Sequence, residues 1–471
     1  MNLRAEKMKE RLLRLGDRRA AGRKGDFEMR RFRSRRALGC AAAAALLLSA
    51  QGARAEDAPP NYAGDLSERE ALTGDWGGAR TKLLEQGVQF DATFTADLSF
   101  NPSGGIRRGE AYSGLLQLGL TLDMEKLVGW TGGEIYAGAY FIDGKGLTTG
   151  EIGNLLTMSN IEATPAIRLG EVYIKQKLFD DAVEVKFGQL AADGDFATSD
   201  TAGLFVNSTF GWPGLNGTDL PSGGPAYPVP TPGAHALVKF NDAWSFQAGV
   251  YTGDPAGRDL KNKHNTDFPF SPGAFAIGEL IYANAGEGGG LPGTYKVGAW
   301  YNSMDFPDLR TGVNRDGSYA LYGVIDQTIW QGGGSGDLKD PSPTPTQSFS
   351  VFARAVVAPQ QNRNLIDYYF DAGFNAKGFV PGRPDDVFGV AGAYAHISKT
   401  AQRADIDAGA PVRSSELAFE ASYQATVAPW LKVQPFAQYI VRPGGGDPRP
   451  SDPDRRIKNA TILGVRTQVA F

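Results

Sequence analysis

Three histidines are present, His235, His264 and His396, and none lies near another in sequence. No His-Glu-x-x-His spacing occurs, so no helix presents a zinc pair with its base, and no Gly-x-Ser-x-Gly elbow offers an activated serine. Gly138 to Gly144-Lys145 has a phosphate-loop outline, but the spacing is one residue too long and Gly146 stands where Ser or Thr would hold magnesium. Asp193-Gly194-Asp195 has the oxygen ligands for calcium, although an isolated Asp-Gly-Asp is more often a turn. Cys40 is the single cysteine, and it lies in the N-terminal leader described below. The expectation is therefore no catalytic residue, no metal and no cofactor. What remains to do chemistry is a set of charged and aromatic side chains that can bind by hydrogen bonding and stacking.

Those side chains need elements to position them, and composition narrows the choice. With 48 basic and 52 acidic residues the chain carries a net charge of −4, which gives no electrostatic case for nucleic acid. Mean hydropathy is −0.28, the value of a soluble protein. One membrane class shares it: a transmembrane β-barrel needs apolar residues only at alternate strand positions. Sixty-one glycines and 11% aromatic residues suit many turns and closely spaced strands.

Period-two alternation is the strongest internal signal. From Val88 to Phe100 the even positions read Val, Phe, Ala, Phe, Ala, Leu, Phe, while the odd ones read Gln, Asp, Thr, Thr, Asp, Ser. Side chains alternate across a strand, so one face is apolar and the other polar. Tyr368, Phe370, Ala372, Phe374 and Ala376 likewise oppose Asp367, Tyr369, Asp371, Gly373 and Asn375. Leu417, Phe419, Ala421 and Tyr423 oppose Glu416, Ala418, Glu420 and Ser422. Strands this long suit a tilted membrane crossing better than a sandwich or β-helix, whose strands average about 5–6 residues.

The expected fold is thus all-β, a transmembrane antiparallel β-barrel of about sixteen strands, at roughly 88–100, 110–122, 133–142, 166–177, 183–190, 234–240, 243–252, 274–284, 294–302, 318–329, 348–357, 366–377, 386–397, 415–427, 430–441 and 459–471. Asn241–Asp242 and Ala428–Pro429 read as short periplasmic turns, and residues 143–165, 191–233, 253–273 and 442–458 as extracellular loops. Strict alternation of short and long connections fails in places, which counts against at least one strand. The long segment Trp330–Gln347 has no account at this level.

At the N-terminus, Arg30, Arg31, Arg33, Arg35 and Arg36 precede the apolar run Ala37–Ala50, and Ala53 and Ala55 form a small-x-small cleavage site. This is a signal peptide, 1–55, too short to span a bilayer as a helix. The charged run before Met29 points to translation starting at Met29. Residues 56–87 form an N-terminal periplasmic segment with a short helix, and 88–471 the outer-membrane barrel. The last strand, with Leu463, Val465, Thr467, Val469 and Phe471 on one face, resembles an outer-membrane assembly signal, which implies the barrel-assembly machinery as a partner alongside outer-membrane lipids.

Leu72-Thr73-Gly74-Asp75-Trp76-Gly77-Gly78-Ala79-Arg80, with Leu83 and Gly87-Val88, resembles the carbohydrate-selective porins of the OprB family. Matching stretches follow at Phe205–Pro213, Leu220–Pro228, and Val433-Gln434-Pro435 with Gln438-Tyr439 and Pro443-Gly444-Gly445. The resemblance implies a sixteen-stranded barrel, a helix near Thr81–Gln86, and passive diffusion of small sugars such as monosaccharides through a constricted lumen in the bacterial outer membrane. The alternatives are a general or ion-selective porin and a barrel enzyme such as a lipase; the chain could also assemble as a homo-oligomer.

Selectivity would follow from the polar wall. Alternation points Asp371 and Glu420 inward, and the shorter alternations place Arg354, Glu171 and Lys186 there too. Each is otherwise simply a solvated wall residue. Residues 191–233 are the candidate constriction loop, in which Asn207, Trp212 and Tyr227 could stack on and hydrogen-bond a sugar; Trp212 could instead pack the loop against the wall.

Overall fold

A barrel strand in lipid must satisfy every backbone N–H and C=O with a neighbour, so a spanning sheet must close on itself. The computed structural model, which describes residues 60–256, 262–286, 290–332 and 346–471, does so with sixteen antiparallel strands. These are β1 (Val88–Gly105), β2 (Gly109–Asp123), β3 (Gly133–Gly144), β4 (Ala166–Leu178), β5 (Val183–Leu190), β6 (Thr231–Lys239), β7 (Trp244–Thr252) and β8 (Ala274–Asn284). They continue as β9 (Gly293–Pro307), β10 (Asn314–Gly332), β11 (Gln347–Val357), β12 (Ile366–Lys377), β13 (Val387–Ile397), β14 (Ser415–Ala428) and β15 (Leu431–Val441). A small hairpin, β16 (Pro448–Arg449) and β17 (Asp452–Arg456), precedes the closing strand β18 (Lys458–Ala470). Each barrel strand pairs with its neighbours in order, and β1 pairs with β18 from Thr93↔Ala470 to Gly105↔Lys458.

All sixteen expected strands are present, including the one that the loop lengths counted against. Short connections at 106–108, 308–313 and 358–365 lie on the same end as the long loops. They are short because the strands run further: β9 and β10 keep pairing to Pro307↔Asn314 through a bulge beside Gly317. Asp305, Asp316 and Asn314 look like loop residues in sequence, but beyond the lipid slab a polar outward position costs a strand nothing. The expected signal peptide, with Cys40 and the expected start at Met29, lies outside the described residues, as does most of the long segment between β10 and β11.

Burial inverts the order of a soluble protein. Leu98, Ile167, Phe187, Val250, Val297, Leu321, Phe370, Phe419 and Leu463 are exposed on the outer face, while Thr95, Asp97, Glu279, Asp371 and Glu420 are buried inside. The outward side chains form the lipid-facing band. Near the end where β1 begins and β18 finishes, Trp244 and Tyr282 (4.9 Å), Tyr282 and Tyr295 (6.1 Å), and Trp330 and Phe379 (5.5 Å) form part of an aromatic girdle.

A short segment closes the seam from that end. The helix expected near Thr81–Gln86 is present as Ala79–Glu85, preceded by a turn at Trp76–Gly78. Arg80 donates to the carbonyls of Phe471 (2.8 Å) and Phe90 (2.9 Å), with its guanidinium 3.8 Å from the Tyr62 ring. It thereby ties the segment to both β1 and the end of β18.

Candidate functional site

The 191–230 connection enters the barrel instead of rising from it. Pro213 and Pro221 begin short helical turns at Gly214–Asp219 and Pro221–Gly223, which compact the loop. Its apolar side chains Phe196, Phe205, Phe210, Leu215 and Leu220 are buried against wall residues Phe275, Trp300, Tyr322, Phe352 and Tyr369. Phe205 lies 5.0 Å from Phe210 and 6.0 Å from Phe352, within the range of favourable aromatic pairs. The inner wall is therefore polar only in part; one side of it is an aromatic bed for this loop.

Polar wall residues then take up the loop backbone, because buried carbonyls and amides must find partners. Arg354 donates to the carbonyls of Ala197 (3.0 Å), Gly211 (2.7 Å) and Thr209 (2.8 Å) while pairing with Asp371 across the ladder (2.5 Å). Tyr369 Oη also donates to Asp371 (2.7 Å). Glu420 accepts from the amides of Val206 (2.7 Å) and Asn207 (2.8 Å), and Glu279 from that of Ala197 (2.8 Å). Asp326 accepts from the amide of Thr201 (2.9 Å). Arg354, Asp371 and Glu420 thus point inward, as alternation requires, but they lie beneath the loop and hold it.

A second connection, 145–165, folds inward as well. Glu416 accepts from the amides of Leu155 (2.9 Å) and Leu156 (2.8 Å), and Gln438 donates to the Met158 carbonyl (2.8 Å). Ser208 N donates to the Thr157 carbonyl (3.0 Å), and Asn160 N to that of Val206 (2.9 Å), so the two loops brace each other. Sequence reasoning read this segment as an ordinary extracellular loop. Its apolar Leu147, Ile152, Leu156 and Met158, all buried, were the available signal.

At the height of this packing, inward side chains of β2 to β5 retain part of their exposure, among them Gln117, Tyr136 and Tyr173. Tyr136 and Tyr173, cross-strand partners, stack at 5.1 Å, and Lys186 Nζ lies 5.8 Å from the Tyr173 ring. Tyr140 meets Tyr227 of the loop edge-on at 5.4 Å. Tyr136 lies flat on the wall because Gly138 follows it on the same face: a Cβ there would come within 3.1 Å of the Tyr136 hydroxyl. Around these rings, Glu171 accepts from Ala191 N (2.9 Å), Lys186 pairs with Asp195 (2.9 Å), and Asp193 accepts from Tyr227 N (2.9 Å). Burial pushes the Asp193 carboxyl up to about 6.

The structure therefore separates the expected residues into three sets. Glu171, Lys186 and Tyr227 come together beside the half-exposed tyrosines. Arg354, Asp371 and Glu420 anchor the loop on the opposite wall. Asn207 and Trp212 are turned into the packed interior: Asn207 is 0% exposed and caps Thr209 N (3.0 Å), and Trp212 is 7% exposed with its indole donating to the Gly223 carbonyl (3.0 Å). Tyr136, Tyr140 and Tyr173 were missed. On β3 both faces carry apolar side chains, Ile135 and Phe141 outward, Tyr136 and Tyr140 inward, so alternation does not tell the two faces apart there. Among the described residues no group of three or more His, Cys, Asp or Glu could hold a metal ion.

Comparison with known proteins follows the same outline. A model of the carbohydrate-selective porin, OprB family, matches residues 107–471. Porin B of Pseudomonas aeruginosa is 28% identical over 440 residues, covering 85% of this chain and 91% of that protein. The putative porin QuiX of Acinetobacter baylyi is 26% identical over 436 residues, covering 86% and 94%. The high-pH structure of Pseudomonas putida OprB superposes with a TM-score of 0.76 at 26% identity, covering 86% of this chain and 99% of that one.

Proposed function

The chain belongs to the carbohydrate-selective porin family, OprB, and from that premise we propose that small sugars diffuse passively across the bacterial outer membrane along the lumen face of β2 to β5. The observation that carries this path is the one-sided packing of the 191–230 loop. It packs against the wall from β7 to β15 and leaves Tyr136, Tyr173, Tyr140 and Tyr227 beside Glu171 and Lys186. A pyranose has apolar faces edged with hydroxyls that both donate and accept. Flat tyrosine rings match its faces, and a carboxylate and an ammonium replace the water at its rim. No step is chemical: selectivity comes from width, stacking and hydrogen bonding.

Two further readings accompany the path. Exposed Leu463 and Val465 on β18 support recognition of this strand by the barrel-assembly machinery. The loop anchors support a constriction that keeps its shape while solute passes.

Liposome swelling with purified protein tests the function directly. Glucose is expected to enter faster than charged amino acids of similar size, and Tyr136→Ala with Tyr173→Ala is expected to remove most of that difference. Influx ordered by size alone would reduce the protein to a general diffusion pore.

A further inference from the structure

Buried cations of the inner wall generally have acids beside them. Arg354 pairs with Asp371 (2.5 Å), Arg466 with Asp97 (2.7 Å) and Lys186 with Asp195 (2.9 Å). Arg168 on β4 does not. It is 7% exposed, no carboxylate of the described residues lies within ion-pair distance, and a guanidinium does not discharge itself by losing its proton. Among the described residues its one hydrogen bond, Nη1 to Asn265 Oδ1, is at the limit of 3.5 Å, and its buried Nε has no partner.

The surroundings keep it in that state. Asn265 is fixed by donating to the carbonyls of Leu169 (2.9 Å) and Pro228 (2.8 Å), so it cannot swing closer. Acids near the Tyr140 ring are hydrogen-bonded to backbone: Glu171 to Ala191 N and Asp193 to Tyr227 N. Arg168 is also the cross-strand partner of Tyr140, whose ring meets Tyr227. Arg168 therefore brings a positive charge with no ion-pair partner among the described residues to a point beside two tyrosine rings.

A planar guanidinium with free N–H groups fits a carboxylate better than any single hydroxyl. We propose that Arg168, with Tyr140 and Tyr227, forms a subsite for carboxylated monosaccharides, the aldonates and uronates. The acid group pairs with the accessible edge of the guanidinium, away from the buried Nε, while the carbon skeleton lies against the rings. This assignment rests on the lumen path proposed above and adds a substrate class to it.

The test compares gluconate with glucose influx in proteoliposomes for wild type, Arg168→Gln and Arg168→Lys, each checked for the heat-shifted gel migration of a folded barrel. Arg168→Gln is expected to lower the gluconate-to-glucose ratio roughly tenfold, the loss of a charge-assisted hydrogen bond, with partial recovery in Arg168→Lys. In bilayers under a salt gradient, the reversal potential of Arg168→Gln is expected to move toward cation preference. A ratio and reversal potential unchanged in Arg168→Gln would overturn the subsite. Equal loss of both solutes in a folded variant would also overturn it, leaving Arg168 a loop-positioning residue. Gluconate influx that depends on Arg168 in a wild type that excludes glucose would support the subsite and sink the neutral-sugar path instead.

Discussion

Arg354 shows how one side chain serves ladder and loop together. It neutralises Asp371 across the strand pair and satisfies three loop carbonyls. Arg354→Ala would leave Asp371 buried without its cation, a change that typically costs about 3–5 kcal/mol. The expected outcome is a barrel that still forms but a 191–230 loop that loosens, read as larger single-channel conductance and proteolysis within the loop. Trp212 acts at the same scale from inside the loop, filling its core and donating to Gly223. Trp212→Ala should widen the pore and weaken sugar discrimination, through collapse of loop packing worth about 3–5 kcal/mol. Unchanged conductance and sugar uptake would count against both roles.

At the scale of elements, the 145–165 connection carries a titratable joint. Glu162 accepts from Thr148 N (3.2 Å) and Thr148 Oγ1 (2.7 Å). Burial nevertheless pushes its carboxyl from 4.5 up to about 7, the hydrogen bonds opposing that rise. A raised carboxyl means the folded loop holds the proton more tightly than the unfolded one. Its stabilising contribution is full below about 4.5 and is lost as pH rises through about 7. Glu162→Gln should remove that loss, protecting the 155–161 amides from hydrogen exchange more than wild type at pH 8 and no more at pH 4. Equal protection at both pH values would remove Glu162 as the cause. Strand content was legible for a simple reason: an element with lipid on one side and polar groups on the other must alternate. Loop direction was not, because Phe205, Phe210 and Leu215 would read alike in a loop packed within the barrel and in one packed above it.

For the molecule as a whole, stability rests on an apolar exterior and a closed ladder. Val297 is exposed outward on β9, so Val297→Arg puts a charge into lipid, at about 2–4 kcal/mol near the bilayer midplane. Thr121→Arg on the half-exposed inner face should cost far less. Urea unfolding of the two variants in bilayers checks the contrast; equal midpoints would contradict the assignment of faces.

Read alone, the sequence determined the barrel, its sixteen strands, the inward placement of Asp371 and Glu420, and the sugar-porin family, because alternation and local motifs are properties of neighbouring residues. Tertiary structure decided which wall stays open. Arg354, Asp371 and Glu420 would line the lumen of an empty barrel, and only the loop from 191 to 230, seated on them through contacts more than a hundred residues away in the chain, turns them into anchors. The same seating leaves Glu171, Lys186 and Tyr227 beside Tyr136, Tyr140 and Tyr173. Whether an inward charge meets solute or backbone is set by what packs against it, and no local pattern carries that information.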